Sequence, residues 1–193
     1  KEFQPIVPSN YKLEKVSIEG FLSFKDKVEV KIESGVWLIL GDCDVFTSNG
    51  AGKSSLFDAI FWCLYNQTTK GISSNNVIND ELEGNCRVVL EMIDYKDNSK
   101  LRIDRFRKYG KIGTGLKINQ NDKEIEGTPT SLEKKLVSIL GFDYDFFLNT
   151  VYYSQEKTEF FAGSTDSVKK SFLDSVLQTA KYDIALKYCR SDL

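Results

Sequence analysis

The segment NGAGKSS at residues 49–55 combines the residue types that bind nucleotide phosphates. Glycines let the backbone curl so that successive N–H groups point at phosphate oxygens, and a helix that starts in the loop adds its positive end. The ammonium of Lys53 supplies charge for the β- and γ-phosphates, while the Ser54 hydroxyl coordinates Mg²⁺ beside the nucleotide. The predicted nucleotide-binding residues of this loop are Asn49, Gly50, Ala51, Gly52, Lys53, Ser54 and Ser55.

The phosphate-binding motif needs a strand before it and a helix after it. The apolar run VWLIL at residues 36–40 predicts a fully buried strand, and SSLFDAIFWCLYN at 54–66 predicts a buried helix. The full motif has a glycine five residues before Gly52, where this chain has Thr47. We therefore expect residues 42–48 to form an inserted or differently turned entry to the loop.

Alternating apolar and polar residues predict several strands around this centre. Two period-two segments precede the loop, at residues 11–24 and 25–34. Two hairpins follow it, at 86–110 and 111–127, after a polar connection at 66–85. The strands and the central helix together predict an α/β fold.

The second half of the chain predicts one more helix and one late strand. Thr130 or Ser131 can cap a helix at residues 131–140, which stops at Gly141, a residue typical of helix C-termini. The aromatic-rich segment FFLNTVYYSQ at residues 146–155 predicts a strand.

The pattern changes from about residue 165 onward, where apolar residues recur at helical spacing as far as the last residue, Leu193. No stop signal ends this helix, so we expect it to be the beginning of a longer one. The expected organisation is an N-terminal arm at 1–10, a lobe at 11–165 and the start of a long helix at 166–193.

Composition excludes several classes of protein. The 26 Lys and Arg residues nearly balance the 28 Asp and Glu residues, so the chain is not a polycation that binds nucleic acid by net charge. Histidine is absent, which removes histidine as a general base or metal ligand. None of the four cysteines has C-x-x-C spacing, so a reducing compartment is expected, with Cys63 a small buried apolar residue. No apolar run approaches the roughly 18 residues of a membrane span.

Several of these segments resemble the N-terminal lobe of an ABC-type ATPase head. The class is that of SMC-like chromosome-maintenance proteins and the SbcC-type exonuclease ATPase subunit, and the loop entry is similar to bacteriophage versions of the latter. The segments that carry the likeness are KLEKVSIEGFLSF, GVWLILG, NGAGKSSLFDAIFWCLY and FFLNTVYYSQ. The resemblance covers residues 11–193 and implies a P-loop NTPase lobe with a mixed sheet around a central helix, antiparallel β hairpins and the root of a coiled coil.

The resemblance also implies roles for residues outside the phosphate loop. In the family, a loop after the first strand approaches the nucleotide, which corresponds to Phe21, Ser23 and Phe24 here. An arginine is common at the position of Leu22, and Lys25 is the basic residue that can substitute for it. The glutamine after the late strand touches Mg²⁺ and senses the γ-phosphate, so the resemblance implies that Gln155 is a metal ligand and, with Lys53, a catalytic residue.

The family further implies partners and a process. ATP with Mg²⁺ would be hydrolysed between two dimerised heads, each completed by a C-terminal lobe that carries the signature segment and the acidic catalytic pair. Repair members act on double-stranded DNA with a metal-dependent nuclease subunit near the base of the coiled coil. The implied role is DNA double-strand-break repair or recombination, in a nucleoid-associated cytoplasmic setting or in the host cytoplasm for a bacteriophage protein.

Two other functions remain open from the sequence. A self-contained small P-loop kinase or GTPase needs an acidic residue after a second apolar strand, and we find none. An ATP-dependent structural DNA clamp of the chromosome-maintenance type hydrolyses little ATP, and no residue in this chain excludes it.

Two further features allow alternative interpretations. Asp58 can assist catalysis, or it can compensate the helix dipole. Residues 100–111 can contact the DNA backbone, or they can form a solvated edge hairpin whose charges prevent edge pairing, which is the favoured interpretation. The basic residues of this hairpin are Lys100, Arg102, Arg105, Arg107, Lys108 and Lys111.

Overall fold

The computed structural model describes three long stretches of the chain and isolated residues near its end. The described residues are 10–41, 52–72, 74–152, 165–167, 169–170, 173, 182, 186 and 189–190. They belong to two compact units, of which the first ends at Leu140 and the second begins at Gly141.

The first unit is built on a six-stranded sheet with the spatial order β2-β1-β3-β4-β5-β6. The strands are β1 (Tyr11–Glu19), β2 (Val28–Lys31), β3 (Cys86–Asp94), β4 (Lys100–Tyr109), β5 (Gly113–Gln120) and β6 (Lys123–Glu124). Every pairing between these strands is antiparallel. The two predicted hairpins are confirmed as β3–β4 and β5–β6.

A bulge explains why the alternation in β1 slips by one residue. Leu13 pairs with Met92 and Val16 with Leu90, and the register shifts between Leu13 and Lys15. Since Leu90 and Met92 share one face of β3, the extra residue brings Leu13 and Val16 to that same face despite their odd spacing.

The central helix α1 (Lys53–Tyr65) packs against β3 and β4 on this inner face of the sheet. The apolar composition of its sequence predicted burial, and the prediction is confirmed. The buried residues of α1 are Asp58, Ala59, Phe61, Trp62, Cys63 and Leu64. The Trp62 ring lies 5.3 Å from that of Phe21, which follows β1, so the core joins the helix to the end of the first strand.

A second helix, α2 (Pro129–Leu140), contacts β5 and buries Leu132, Leu136 and Leu140 at four-residue spacing. The predicted cap was too late in the sequence. The Thr128 Oγ1 accepts a hydrogen bond from the Ser131 N–H at 3.4 Å, so Thr128 caps the helix. Pro129 takes the first helical position, where its missing N–H costs nothing.

The run VWLIL at residues 36–40 is neither a strand nor buried, so that prediction is wrong. Val36 is 104% exposed, Leu38 82% and Leu40 79%. No described strand pairs with these residues, and an apolar segment without a pairing strand has no sheet in which to bury its side chains.

In the second unit, residues 146–150 belong to helix α3 (Tyr144–Thr150) rather than to the predicted strand. The Asp143 side chain accepts a hydrogen bond from the Phe146 N–H at 2.9 Å and caps this helix. Phe142 stacks on Phe146 and Phe147, with ring centroids 5.8 and 5.6 Å apart. Local capping and aromatic stacking therefore outweigh the β propensity of the segment.

The residues described beyond position 165 are helical, as the spacing of apolar residues predicted. Across the described part of the chain, no helix is both long enough and apolar enough to cross a membrane.

Candidate functional site

The N-terminus of α1 begins at the predicted phosphate loop. Gly52 has φ +79°, a left-handed conformation that favours glycine, and its carbonyl accepts the first helical hydrogen bond, from Leu56 N–H at 3.1 Å. The first N–H groups of a helix have no acceptor within the helix itself. No acidic residue occupies the first turn, so no carboxylate of that turn offsets the positive end of the helix.

The loop residues after Gly52 differ in exposure. Ser54 is exposed, whereas Lys53 and Ser55 are half-buried.

A tight turn after β1 lies directly against this helix N-terminus. The Ser23 Oγ and the Ser55 Oγ are 2.9 Å apart. A Cβ atom at position 52 would lie 3.3 Å from Ser23 Cβ and 3.9 Å from the Phe24 ring. The structure therefore brings together two segments that the sequence indicated separately, one through the motif and one through the family resemblance.

Backbone hydrogen bonds fix the shape of this turn. Phe21 and Phe24 exchange N–H···O bonds of 2.9 and 2.8 Å. Between them, Leu22 has φ +44°, an uncommon value for a residue with a branched side chain. Hydrogen bonds that the backbone N–H and C=O of Leu22 make with another segment stabilise this strained conformation.

The connection between α1 and β3 supplies those bonds. Leu22 N–H donates to Val77 O at 2.9 Å, and the Asn79 side-chain amide donates to Leu22 O at 2.5 Å. Asn79 N–H also donates to Gly20 O at 3.0 Å. Asn79 is thus a positioning residue for the turn, and sequence reasoning missed it because a lone asparagine in a polar connection gives no signal.

Lys25 lies at the end of the same turn but pairs with an acid. Its Nζ is 2.5 Å from Glu81 Oε2, and both side chains are exposed. The hydrogen bond to Glu81 raises the pKa of Lys25 above its usual value. A nucleotide contact by Lys25 therefore competes with this ion pair.

Asp58 anchors the connection rather than facing the phosphate loop. Its side chain is 1% exposed. The Asp58 Oδ1 accepts hydrogen bonds from the Thr69 N–H at 2.6 Å and from the Thr69 hydroxyl at 2.7 Å. It lies beyond the first helical turn, so compensation of the dipole at the helix end does not explain it.

Four predicted site residues lie outside the described residues: Asn49, Gly50, Ala51 and Gln155. The same is true of segment 42–48. Among the described residues, no group of three or more acidic or cysteine side chains has the arrangement of a metal site.

The basic strand β4 lies between β3 and β5, so the interpretation of it as a sheet edge is wrong. On the outer face of the sheet, Arg102 pairs with Glu91 at 2.6 Å and Arg87 with Asp104 at 2.5 Å. On the inner face, Arg105 is buried. Much of the basic charge of the strand is therefore engaged within the fold.

A family model described as an AAA domain matches residues 15–187, which is most of the chain. The chain belongs to this AAA domain family. Its sheet and its central helix form the fold of an α/β P-loop NTPase head, and the predicted likeness to the N-terminal lobe of an SMC-like ATPase is confirmed.

Relatives of known description carry the same likeness. The chain is 28% identical over 163 residues to the DNA double-strand break repair Rad50 ATPase of Methanocaldococcus jannaschii, an alignment covering 83% of this chain and 15% of that protein. It is 25% identical over 177 residues to the chromosome partition protein Smc of Mesomycoplasma hyorhinis, covering 90% and 18% respectively. The chain thus spans less than a fifth of the length of these two relatives.

Among solved structures, that of the recombination mediator protein RecF with ATP superimposes with a TM-score of 0.51. The sequence identity is 18%, and the match covers 94% of this chain and 44% of that one. At this identity the match supports the fold alone.

Proposed function

We propose that this AAA domain is the ATP-binding N-terminal lobe of an SMC-like ATPase that acts in DNA double-strand-break repair or recombination. The observation that carries the proposal is the contact of the Ser23–Phe24 turn with Gly52 and Ser55 at the start of α1. This arrangement supports a nucleotide site, because a second chain segment closes over the positive end of the helix that follows a phosphate loop.

Each residue of the site has a proposed task. Residues 49–52 and the first turn of α1 present backbone N–H groups to the phosphates, and Lys53 offsets phosphate charge. Ser54 and Gln155 hold Mg²⁺, which when bound neutralises charge on the phosphate oxygens. Ser23 and Phe24 line the site, and Lys25 reaches it only if it leaves Glu81.

The exposed apolar run at residues 36–40 supports the proposal that a partner lobe packs against this one. Exposed apolar patches of this kind usually mark interaction surfaces, and this run leads directly towards the phosphate loop in the sequence. We propose that a C-terminal lobe of the same protein covers it and supplies the acidic residues for hydrolysis.

The remaining proposals concern the assembly. Two such heads dimerise and hydrolyse ATP between them, in cooperation with a metal-dependent nuclease subunit and double-stranded DNA. The residues from 166 onward begin a coiled coil, and the assembly acts in a cytoplasm, on the nucleoid or in the host of a bacteriophage. The relatives described as a DNA double-strand break repair ATPase and a chromosome partition protein support this group of proposals.

Binding and turnover of Mg–ATP by this chain test the proposal. We expect the chain to bind Mg–ATP, Lys53→Ala to weaken binding at least about tenfold, and the exposed-lysine control Lys70→Ala to leave it unchanged. We expect no turnover above that of Lys53→Ala, because the acidic residues lie in another lobe. Equal affinities in the two variants would refute the site, and turnover by the chain alone would identify a self-contained NTPase instead.

A further inference from the structure

A cavity lined by both polar and apolar residues lies at the other end of α1, away from the phosphate loop. Its volume is about 160 Å³. The residues that matter for its chemistry are Asn66, Arg105, Arg107, Thr114, Pro129 and Glu133. Because α1 has 13 residues and rises about 1.5 Å per residue, the cavity lies about 20 Å from Gly52.

Arg105 enters this cavity from the inner face of β4 and is only 4% exposed. Its Nε donates to Cys63 O at 3.0 Å, in the last turn of α1, and its Nη1 donates to Glu133 Oε1 at 3.1 Å. Its Nη2 is buried and has no hydrogen-bond acceptor among the described residues. A fully buried guanidinium nitrogen without an acceptor is uncommon in folded proteins.

Arg107, two residues further along the same face, leaves a second donor without an acceptor. Its Nη2 donates to Asn66 Oδ1 at a long 3.3 Å, and its Nε is buried with no acceptor in the described part of the chain. The two orphaned donors belong to residues that line the same cavity.

The charges around the cavity do not balance. Two guanidinium groups face a single carboxylate, that of Glu133, whose side chain is 42% exposed. Burial lowers the pKa of Arg105, because desolvation of the guanidinium outweighs its attraction to Glu133. Helix α2 begins at Pro129 in the cavity wall and adds the positive end of its dipole.

We propose that this cavity binds a small free oxyanion of the phosphate or sulfate type, which accepts hydrogen bonds from Arg105 Nη2 and Arg107 Nε. A tetrahedral oxyanion has enough oxygen atoms to accept from both arginines, and it supplies the missing negative charge. The volume equals about five water molecules, which suits an anion of this size. The recessed position of Arg105 favours a free anion over a phosphate of the DNA backbone.

The test uses the 193-residue chain carrying Lys53→Ala, so that the phosphate loop contributes little binding. Phosphate is titrated against chloride at equal ionic strength by calorimetry. We expect Arg107→Gln to weaken phosphate binding about tenfold or more. Arg102→Gln removes the same charge from the opposite face of β4, and we expect it to change affinity less than about twofold. Equal losses in both variants, or no binding at millimolar phosphate, would overturn the proposal.

A second measurement does not depend on the variants folding. In the chain with Lys53→Ala and otherwise unchanged, the Nε–H resonances of Arg105 and Arg107 should shift on addition of phosphate or sulfate, while that of Arg102 should not. If a short DNA duplex shifts these resonances and free phosphate does not, the free-anion assignment is wrong.

Discussion

Replacing Gly52 by alanine tests the contact on which the proposed nucleotide site depends. Gly52 combines φ +79° with a position where a Cβ atom would lie 3.3 Å from Ser23 Cβ. Gly71 provides a matched control, because it has φ +70° but no atom within 4 Å of the same hypothetical Cβ. Both substitutions place an alanine in a left-handed conformation, but only the substitution at position 52 brings a Cβ atom against Ser23.

The backbone strain follows from the conformation. A left-handed residue other than glycine costs about 1–2 kcal/mol, partly offset by the lower conformational entropy of alanine in the unfolded chain. Gly71→Ala should therefore lower the free energy of unfolding by about 1 kcal/mol. Gly52→Ala has the same backbone strain and also displaces Ser23, which breaks the bond between Ser23 and Ser55. We therefore expect its free energy of unfolding to fall by about 1–2 kcal/mol in total.

The two variants should differ more in nucleotide affinity than in the free energy of unfolding. Relief of strain at position 52 moves the first turn of α1 away from the conformation that presents its N–H groups to phosphate. We expect Gly52→Ala to weaken Mg–ATP binding about tenfold, which corresponds to about 1.4 kcal/mol. Gly71→Ala should stay within about twofold of the unsubstituted chain. Urea unfolding and calorimetric titration measure the two effects.

Similar nucleotide affinities for Gly52→Ala and Gly71→Ala would refute this reasoning. Such a result would mean that the contact between Ser23 and the helix N-terminus does not shape the site.

Two further predictions concern buried and exposed carboxylates. Asp58→Ala leaves the Thr69 N–H and hydroxyl without their buried acceptor, so the free energy of unfolding should fall by about 2–4 kcal/mol in urea unfolding, and Asp58→Asn should cost less. A loss below about 1 kcal/mol for the alanine variant would contradict the anchoring role. The hydrogen bond from Lys15 lowers the pKa of Glu29 to about 2 from 4.5, so the stability it contributes is present above 4.5 and is lost as the pH falls through about 2. A carboxyl titration by NMR should give that midpoint, and Lys15→Gln should raise it; an unchanged midpoint would exclude Lys15 as the main cause.

Most of the sheet and both ends of α1 could be predicted because local patterns determine them. Period-two alternation located β3 and β4, and the phosphate loop located the start of the helix. The run at residues 36–40 shows where this reasoning fails. Hydrophobicity indicates that a segment needs burial, but only a neighbouring strand provides it, and none is available among the described residues.

Residues 144–150 show a second limit. Aromatic side chains favour strands on average, but Asp143 and the following turn offer a helix cap that satisfies the backbone locally.

Arg105 shows a third limit. It lies two residues after the buried Ile103 and so shares the inner face of β4, yet a charged side chain is normally assigned to solvent. The carbonyl of Cys63 at the end of α1 makes its burial possible, and that carbonyl lies 42 residues away in sequence. No pattern within the strand could reveal it.

The connection between α1 and β3 also makes the geometry of the site sensitive to chain length. Thr69 is tied to Asp58 in the helix, and Val77 and Asn79 are tied to the turn that carries Ser23. Only residues 70–76 lie between Thr69 and Val77, so a short piece of chain joins the two anchors.

The number of residues between the two anchors therefore limits how far the turn that carries Ser23 can move from the helix. Inserting residues there would loosen the turn that carries Ser23 without altering any residue of the proposed nucleotide site. Deleting residues would pull that turn away from Gly52. In this lobe a surface connection, the kind of segment in which homologous proteins most readily change length, acts as the spacer that sets the width of the site.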